Sequence, residues 1–186
     1  MMEHIASMRP ITGRSVHEAK PILETGMPVS GYRLRRSQFV ARPPHEVFAF
    51  FSEASNLERI TPRFLKFQVL AASSASVSEG TLIDYRLRLW GVALRWQSRI
   101  ECFQPPRQFV DVQVRGPYRR WRHTHSFDEV PGGTRIADEV HYELPLGPLG
   151  VLAHALFVGR MLRKIFDYRE AAIAEIFPTA SARLSS

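Results

Sequence analysis

Between Phe64 and Pro145 the sequence falls into short runs in which apolar and polar residues alternate, and turn residues separate one run from the next. A period of two is typical of β-strands with one buried and one exposed face. The six runs are FLKFQVLA, GTLIDYRLRLW, VALRWQSRIECF, RQFVDVQVRG, RRWRHTHSFDEV and GTRIADEVHYELP. Glycine and proline lie in the breaks, as in PGG at 131–133. Strands joined by such turns predict an antiparallel meander.

Helical patterns flank this meander. Before it, YRLRRSQFVA alternates as a first strand, and RPPHEVFAFFSEASNLERITP predicts a helix with proline near its start and a short second helix that ends before Pro62. After it, the segment from Leu149 to about Phe177 carries apolar residues at helical spacing. This stripe predicts one long helix that packs on the concave face of the sheet. The charged residues expected to lie mostly off the stripe are Arg160, Arg163, Lys164, Arg169 and Glu170.

The chain has 186 residues, of which 45% are hydrophobic, and this is enough for a single domain with its own core. Residues 1–33 contain several prolines and glycines without a sustained period, so we expect a loosely ordered extension. The domain itself is then predicted over 34–178, with a tail at 179–186. The sequence lacks a secretory signal pattern and its lone Cys102 cannot form an internal disulfide, which together predict a cytoplasmic protein.

The net charge is +7, which raises the question of an anionic partner. The arginines are scattered along the chain and do not form the aromatic-interleaved pattern of a nucleic-acid module. We therefore expect mostly solvated basic faces and no nucleic-acid partner. Weak contact with an anionic membrane, through the basic residues of the last helix, is left open.

The order of elements and three motifs resemble a known family. The motifs are PPHEVFAFFSEASNLERITP, GTLIDYRLRLWGVALRWQSRIECFQPPRQFVDVQVRGPYRRWRHTHSF and GGTRIADEVHYELPLGPLG. They are similar to the SRPBCC superfamily (START-like, polyketide cyclase/dehydrase and lipid transport), above all to a bacterial branch that also occurs fused to sugar-nucleotide epimerase-like domains. The resemblance implies an α+β helix-grip fold: a curved antiparallel sheet of about seven strands around a long C-terminal helix, with two short helices after the first strand. It also makes an epimerase-like protein a candidate partner.

Strand alternation predicts which side chains face the interior. In WRHTHSF, the residues Trp121, His123, His125 and Phe127 share one face, which we expect to point inward. Hydrophobicity alone would turn the valines of FVDVQV inward and leave Asp111 and Gln113 in solvent. The resemblance favours the opposite orientation. The predicted ligand-binding residues are Tyr85, Trp96, Phe109, Gln113, Trp121, His123, His125, Phe127, Tyr142, Leu156 and Met161.

Three functions are compatible with this pattern. The first is a carrier or sensor that binds a small hydrophobic or aromatic molecule, lipid or polyketide-like, between the sheet and the C-terminal helix. The second is a cyclase or dehydratase in which His123, His125 and Asp111 carry out acid/base chemistry. The third is an interaction or membrane-surface module. The histidines could also be purely structural, and because two histidines two residues apart are a weak metal signal, neither a metal nor a cofactor is predicted.

Overall fold

The computed structural model of the chain describes residues 31–74, 76–89 and 91–178. Most of the predicted N-terminal extension and the whole C-terminal tail therefore lie outside the described residues. The strands are β1 (Tyr32–Val40), β2 (Gln68–Ala72), β3 (Leu82–Leu89), β4 (Val92–Gln104), β5 (Gln108–Arg115), β6 (Arg120–Val130) and β7 (Gly133–Glu143). The helices are α1 (Pro44–Phe51), two 3-10 turns (Ala54–Glu58 and Arg63–Leu65), α2 (Pro148–Ala153), a π-helical turn (His154–Val158) and α3 (Gly159–Ile176).

The seven strands form one antiparallel sheet in the order β1-β7-β6-β5-β4-β3-β2. Strands β2 to β7 are a meander, and β1 pairs with the last strand. This confirms the predicted α+β helix-grip fold. The run FLKFQVLA forms a shorter strand than its alternation predicts, because Arg63–Leu65 make a 3-10 turn and Lys66 adopts a left-handed φ of 43° before β2 begins.

Helix α1 packs its apolar face under the sheet. Proline occupies its first turn, where backbone N–H groups have no intrahelical acceptor, so the missing N–H costs no hydrogen bond. Val47, Phe48 and Phe51 are buried. The Phe48 ring lies 5.3 Å from the ring of Phe127 in an edge-on arrangement. These aromatic contacts join α1 to β6 in the hydrophobic core.

The C-terminal helical segment runs from Pro148 to Ile176, as the apolar stripe predicts, with a π turn in its first half. Leu162, Phe166 and Ile173 are buried on the face turned to the sheet. The register of β4 against β5 shifts between Gln97 and Ser98 and again between Ile100 and Cys102. Such irregularities increase the local bend of a sheet. No helix in the described part of the chain is long and apolar enough to cross a membrane.

Candidate functional site

A cavity of about 230 Å³ lies between the concave face of the sheet and α3. Its walls are mainly apolar: Ile83, Leu87, Leu94, Trp96 and Ile100 come from the strands, Leu57 and Ile60 from the first 3-10 turn and the residues after it, and Met161, Leu162 and Ile165 from α3. Polar side chains line another part of the wall, namely Ser98, Asp111, His123, His125 and Arg169. The arrangement suits an apolar molecule that carries a polar group.

Three neighbouring strands bring the polar side chains together. Asp111 of β5 lies directly opposite His123 of β6, and His125 of β6 lies directly opposite Asp138 of β7. Residues in such register, and residues two apart on one strand, point to the same face of the sheet. Arg169 reaches this group from α3. We refer to Asp111, His123, His125, Asp138 and Arg169 as the polar cluster.

Each imidazole of the polar cluster lies between both carboxylates. His123 places Nε2 at 3.0 Å from Asp138 Oδ1 and Nδ1 at 3.5 Å from Asp111 Oδ2. His125 places Nδ1 at 2.8 Å from Asp138 Oδ1 and Nε2 at 3.3 Å from Asp111 Oδ2. The two ring centroids are 3.7 Å apart. Both histidines are thus held in fixed orientations by the aspartates.

Arg169 supplies a fixed positive charge beside these groups. Its Nη2 lies 3.8 Å from Asp138 Oδ1 and 3.3 Å from His125 Nδ1. The guanidinium carbon lies 5.1 Å from the centroid of the Phe51 ring, in cation–π geometry. Among the described residues, the buried Nε of Arg169 has no hydrogen-bond partner. This leaves one N–H donor at the site without an acceptor.

Burial and charge set the protonation of the cluster. For Asp138, burial alone would raise the pKa, but the Arg169 charge and the hydrogen bonds from both histidines hold it well below its usual value. The pKa of Asp111 is also lowered: burial opposes this, and the hydrogen bond from His125 together with the electrostatic interactions with His123, His125 and Arg169 outweighs it. Burial, helped by the neighbouring His125, lowers the pKa of His123 to about 4 although both carboxylates oppose this. Near neutral pH the aspartates are therefore ionised and His123 is neutral.

Ser98 connects the polar cluster to the aromatic wall. Its Oγ donates to Asp111 Oδ1 at 3.4 Å and accepts from Trp96 Nε1 at 3.1 Å. The Tyr85 hydroxyl lies 2.9 Å from the same Oγ. Burial, with the Asp111 charge, raises the pKa of Tyr85 well above its usual value, so its hydroxyl stays protonated. Tyr85 and Trp96 are therefore held with their rings against the cavity.

Residues 40–168 match the family model for polyketide cyclase / dehydrase and lipid transport. The chain belongs to this family. It therefore has the fold of a family of hydrophobic-ligand-binding proteins. No curated protein matches the sequence.

Solved structures support the same fold. A START superfamily protein from Mycobacterium smegmatis has a TM-score of 0.57 and 14% identity, over 78% of this chain and 99% of its own. A Thermus thermophilus protein has a TM-score of 0.59 and 20% identity, over 83% of this chain and 100% of its own. A nucleoside-diphosphate sugar epimerase from Corynebacterium glutamicum has a TM-score of 0.57 and 24% identity, with 76% of this chain matching 28% of the epimerase chain. At these identities the likeness shows the fold alone.

Most of the site residues predicted from the sequence lie in the wall of this family member's cavity. They are Tyr85, Trp96, Phe109, Asp111, Trp121, His123, His125 and Met161. The inward orientation expected for Asp111 is the one observed. The valine nearest to it on the other face, Val110, is also buried, at 2% exposed, so hydrophobicity could not decide between the two faces.

Four predicted ligand-binding residues lie away from the cavity wall, for different reasons. Gln113 turns to the following loop, where its Nε2 donates to the Tyr118 carbonyl at 2.7 Å. Phe127 is enclosed by the aromatic core, with its ring centroid 5.2 Å from that of Phe51. The Tyr142 hydroxyl contacts His154 Nε2 at 2.9 Å. Leu156 points outward and is 47% exposed.

The sequence reasoning missed two members of the polar cluster. Asp138 shares its strand face with Val140 and Tyr142, both buried, and that pattern could have placed it inside. Arg169 was expected to lie off the apolar stripe of the last helix, and this is wrong. It lies three residues after Phe166 and four before Ile173, both of them buried, and so shares their face. Its side chain is only 15% exposed.

Asp111, His123 and His125 also have the residue types of a two-histidine, one-carboxylate metal centre. Their ligand atoms lie within 4.8 Å of one another. However, Arg169 already places a fixed cation 3.3 Å from His125. A second, divalent cation here would be repelled by the guanidinium. The geometry therefore favours a hydrogen-bonded network.

Proposed function

We propose that the protein binds a small hydrophobic or aromatic molecule in the cavity between the sheet and α3, as a carrier or sensor. The observation that carries this proposal is the cavity of about 230 Å³, with largely apolar walls that also include Asp111, His123, His125 and Arg169 of the polar cluster. Removing apolar ligand surface from water would provide affinity, about 25 cal/mol per Å² before the entropic cost of binding. The family's hydrophobic-ligand-binding fold supports the same conclusion.

The aromatic wall favours a flat ligand. The Tyr85 and Trp96 rings are nearly parallel, at 17°, with centroids 5.9 Å apart. The Trp121 ring is almost perpendicular to Trp96, at 88° and 5.2 Å. A planar apolar group can pack against these rings by face or by edge. We infer an aromatic or polyketide-like skeleton as the preferred ligand class.

Arg169 would recognise the polar group of the ligand. Its side chain lines the cavity, so a ligand oxygen placed beside the guanidinium would accept a charge-assisted hydrogen bond. The two ionised aspartates nearby disfavour a strongly anionic group. A carbonyl or hydroxyl oxygen satisfies both conditions.

A neutral fluorescent probe, N-phenyl-1-naphthylamine, tests the cavity directly. We expect saturable enhancement of its emission and quenching of the protein's tryptophan emission, because Trp96 and Trp121 line the cavity. Leu87→Trp places a larger side chain into the cavity and should abolish both signals. Leu70→Trp is the matched control, because Leu70 is 48% exposed on β2. Equal probe binding by both variants, with the fold intact by circular dichroism, would refute the proposal.

Native mass spectrometry of the purified protein, followed by organic extraction, would identify a natural ligand. We expect a bound hydrophobic or aromatic molecule at up to one copy per chain, which the Leu87→Trp variant does not retain. A bound molecule that Leu87→Trp retains would lie outside the cavity and would contradict the assignment.

Acid/base catalysis of the cyclase or dehydratase type is a second candidate, favoured by one observation. His125 lies in the cavity wall with Asp111 at 3.3 Å and Asp138 at 2.8 Å, an arrangement that fixes an imidazole for proton transfer. With the extracted ligand or a polyketide panel as substrate, His125→Ala should abolish turnover and retain binding of the naphthylamine probe. If the wild type shows no turnover and His125→Ala only loses binding, the carrier function would be supported instead.

A further inference from the structure

A second surface of the protein is unusually apolar. From the end of β7 through the π turn, five large aliphatic residues face solvent: Leu146 (75% exposed), Leu149 (66%), Val151 (58%), Leu152 (55%) and Leu156 (47%). Single exposed apolar residues are common on proteins, but several within eleven consecutive residues, Leu146 to Leu156, mark a region that contacts something else. We refer to these five residues as the apolar segment.

The apolar segment continues into a basic one along the same side of the helix. Leu149, Leu152 and Leu156 are spaced by three and four residues, and Arg160 and Lys164 follow at intervals of four. Side chains at such intervals share one face of a helix. Arg160, Arg163 and Lys164 are all exposed. The solvent-facing side of the helical segment is thus apolar at its start and cationic further along.

The three cations are not neutralised by neighbouring acids. Within the described residues, no carboxylate forms an ion pair with Arg160, Arg163 or Lys164. Asp167, one turn further along, is paired instead with Arg36 at 2.9 Å. Lys164 Nζ lies 5.0 Å from the centroid of the Phe64 ring, itself 44% exposed. The positive charge beside the apolar segment is therefore available to an anionic surface.

We propose that this side of the helical segment docks on the surface of an anionic phospholipid bilayer. Leucines would enter the boundary between headgroups and acyl chains, while the arginines and the lysine would contact lipid phosphates. The charge selects this occupant over a second copy of the chain. Two copies meeting on this surface would bring together the same three cations, in a chain whose net charge is +7.

The position of the surface gives docking a consequence for the cavity. On its inner side the same helical segment contributes Val158, Met161, Leu162 and Ile165 to the cavity wall. A bilayer docked on the outer side would lie one helix away from the bound molecule. Docking itself does not require an occupied cavity, so it can be tested independently of the proposed function.

Cosedimentation with vesicles tests the proposal. The full chain should sediment with vesicles that contain phosphatidylglycerol, weakly with pure phosphatidylcholine, and less as salt is raised. Leu152→Asp with Leu156→Asp should lower the vesicle affinity by roughly tenfold or more. Arg160→Gln and Lys164→Gln should each lower it by about fivefold, the equivalent of about 1 kcal/mol per basic residue. Leu70→Asp is the matched control, since Leu70 is 48% exposed against 47% for Leu156.

Three results would overturn the proposal. One is failure to bind vesicles that contain phosphatidylglycerol. Another is an equal loss of vesicle affinity in two variants, the double variant with Leu152→Asp and Leu156→Asp and the control variant with Leu70→Asp. The third is a wild-type dimer in analytical ultracentrifugation that becomes a monomer in the double variant with Leu152→Asp and Leu156→Asp. The apolar segment would then be a contact between two copies of the chain. The same double variant should still bind N-phenyl-1-naphthylamine. Its loss of vesicle binding can then be distinguished from a failure of the cavity to bind a ligand.

Discussion

Replacing Asp138 by asparagine should reveal the energetic role of the polar cluster. The Asp138 side chain is 8% exposed, and one of its oxygens lies at 3.0 Å from His123, 2.8 Å from His125 and 3.8 Å from Arg169. Asp138→Asn keeps the shape but removes the charge that balances a mostly buried guanidinium. Breaking a buried pair from one side typically costs about 3–5 kcal/mol. Because Arg169 keeps 15% exposure and a cation–π contact, we expect a loss of about 3 kcal/mol in the free energy of unfolding.

Urea unfolding at neutral pH, followed by tryptophan fluorescence and circular dichroism, measures this loss. For a chain of this size, about 3 kcal/mol corresponds to a melting temperature lower by roughly 6 to 12 °C. The matched control is Asp167→Asn, whose surface pair with Arg36 has side chains 64% and 32% exposed. It should cost less than about 1 kcal/mol. Equal stability of the two variants would refute the reasoning. If the unpaired guanidinium is the cause, adding Arg169→Met to Asp138→Asn should restore part of the loss.

Further predictions concern pH, the core and one turn. The pKa of His123 is about 4 in the folded protein and 6.5 ordinarily, so the unfolded chain takes up the proton first. The contribution of His123 to the free energy of unfolding should be fully present above pH 6.5 and should fall by up to about 3 kcal/mol as the pH drops to about 4. A urea midpoint that does not change over this pH interval would contradict the assignment. Ile173→Ala removes a side chain that is 1% exposed and should cost about 3 kcal/mol by urea unfolding, against less than about 0.5 kcal/mol for Leu70→Ala. In Gly133→Ala the new Cβ would collide with the Val40 carbonyl oxygen, so this variant should melt below Gly80→Ala, where the surrounding space is open and only the positive φ is strained.

The sheet and the long helix could be predicted because burial on one face imposes a period on the sequence. Strand β6 shows this most clearly, since Trp121, His123, His125 and Phe127 alternate with more polar residues and lie on the inner face. The same rule failed to separate the faces of β5, where Val110 and the inward Phe109 are both buried. A local period also cannot decide how strands align with each other.

The composition of the polar cluster depends on that alignment. Asp138 meets His125 because of the β6–β7 register, and Arg169 meets both because of the rotation of α3 about its axis. Neither quantity is encoded in a short window of sequence. Arg169 was placed off the apolar stripe with the other charged residues of the helix, because charged side chains usually lie on the polar face of an amphipathic helix. The sequence therefore indicated the two histidines and Asp111, whereas their partners required the tertiary structure.

The position of Arg169 in the cavity wall explains how such a site could be selective. Apolar walls discriminate weakly, since one methylene more or less changes binding by only about 1–3 kcal/mol. A ligand that covers a buried donor without accepting its hydrogen bond leaves that donor desolvated and unpaired. This costs about 1–3 kcal/mol for a neutral donor and more for a charged one, so a charged donor discriminates more strongly than an apolar wall. The Arg169 guanidinium, which lines the cavity and is only 15% exposed, is such a donor. Among molecules of similar size and apolar area, those that place an oxygen at Arg169 should therefore bind with the highest affinity. Arg169→Met should reduce the differences in affinity between these molecules and leave the affinity for N-phenyl-1-naphthylamine largely unchanged.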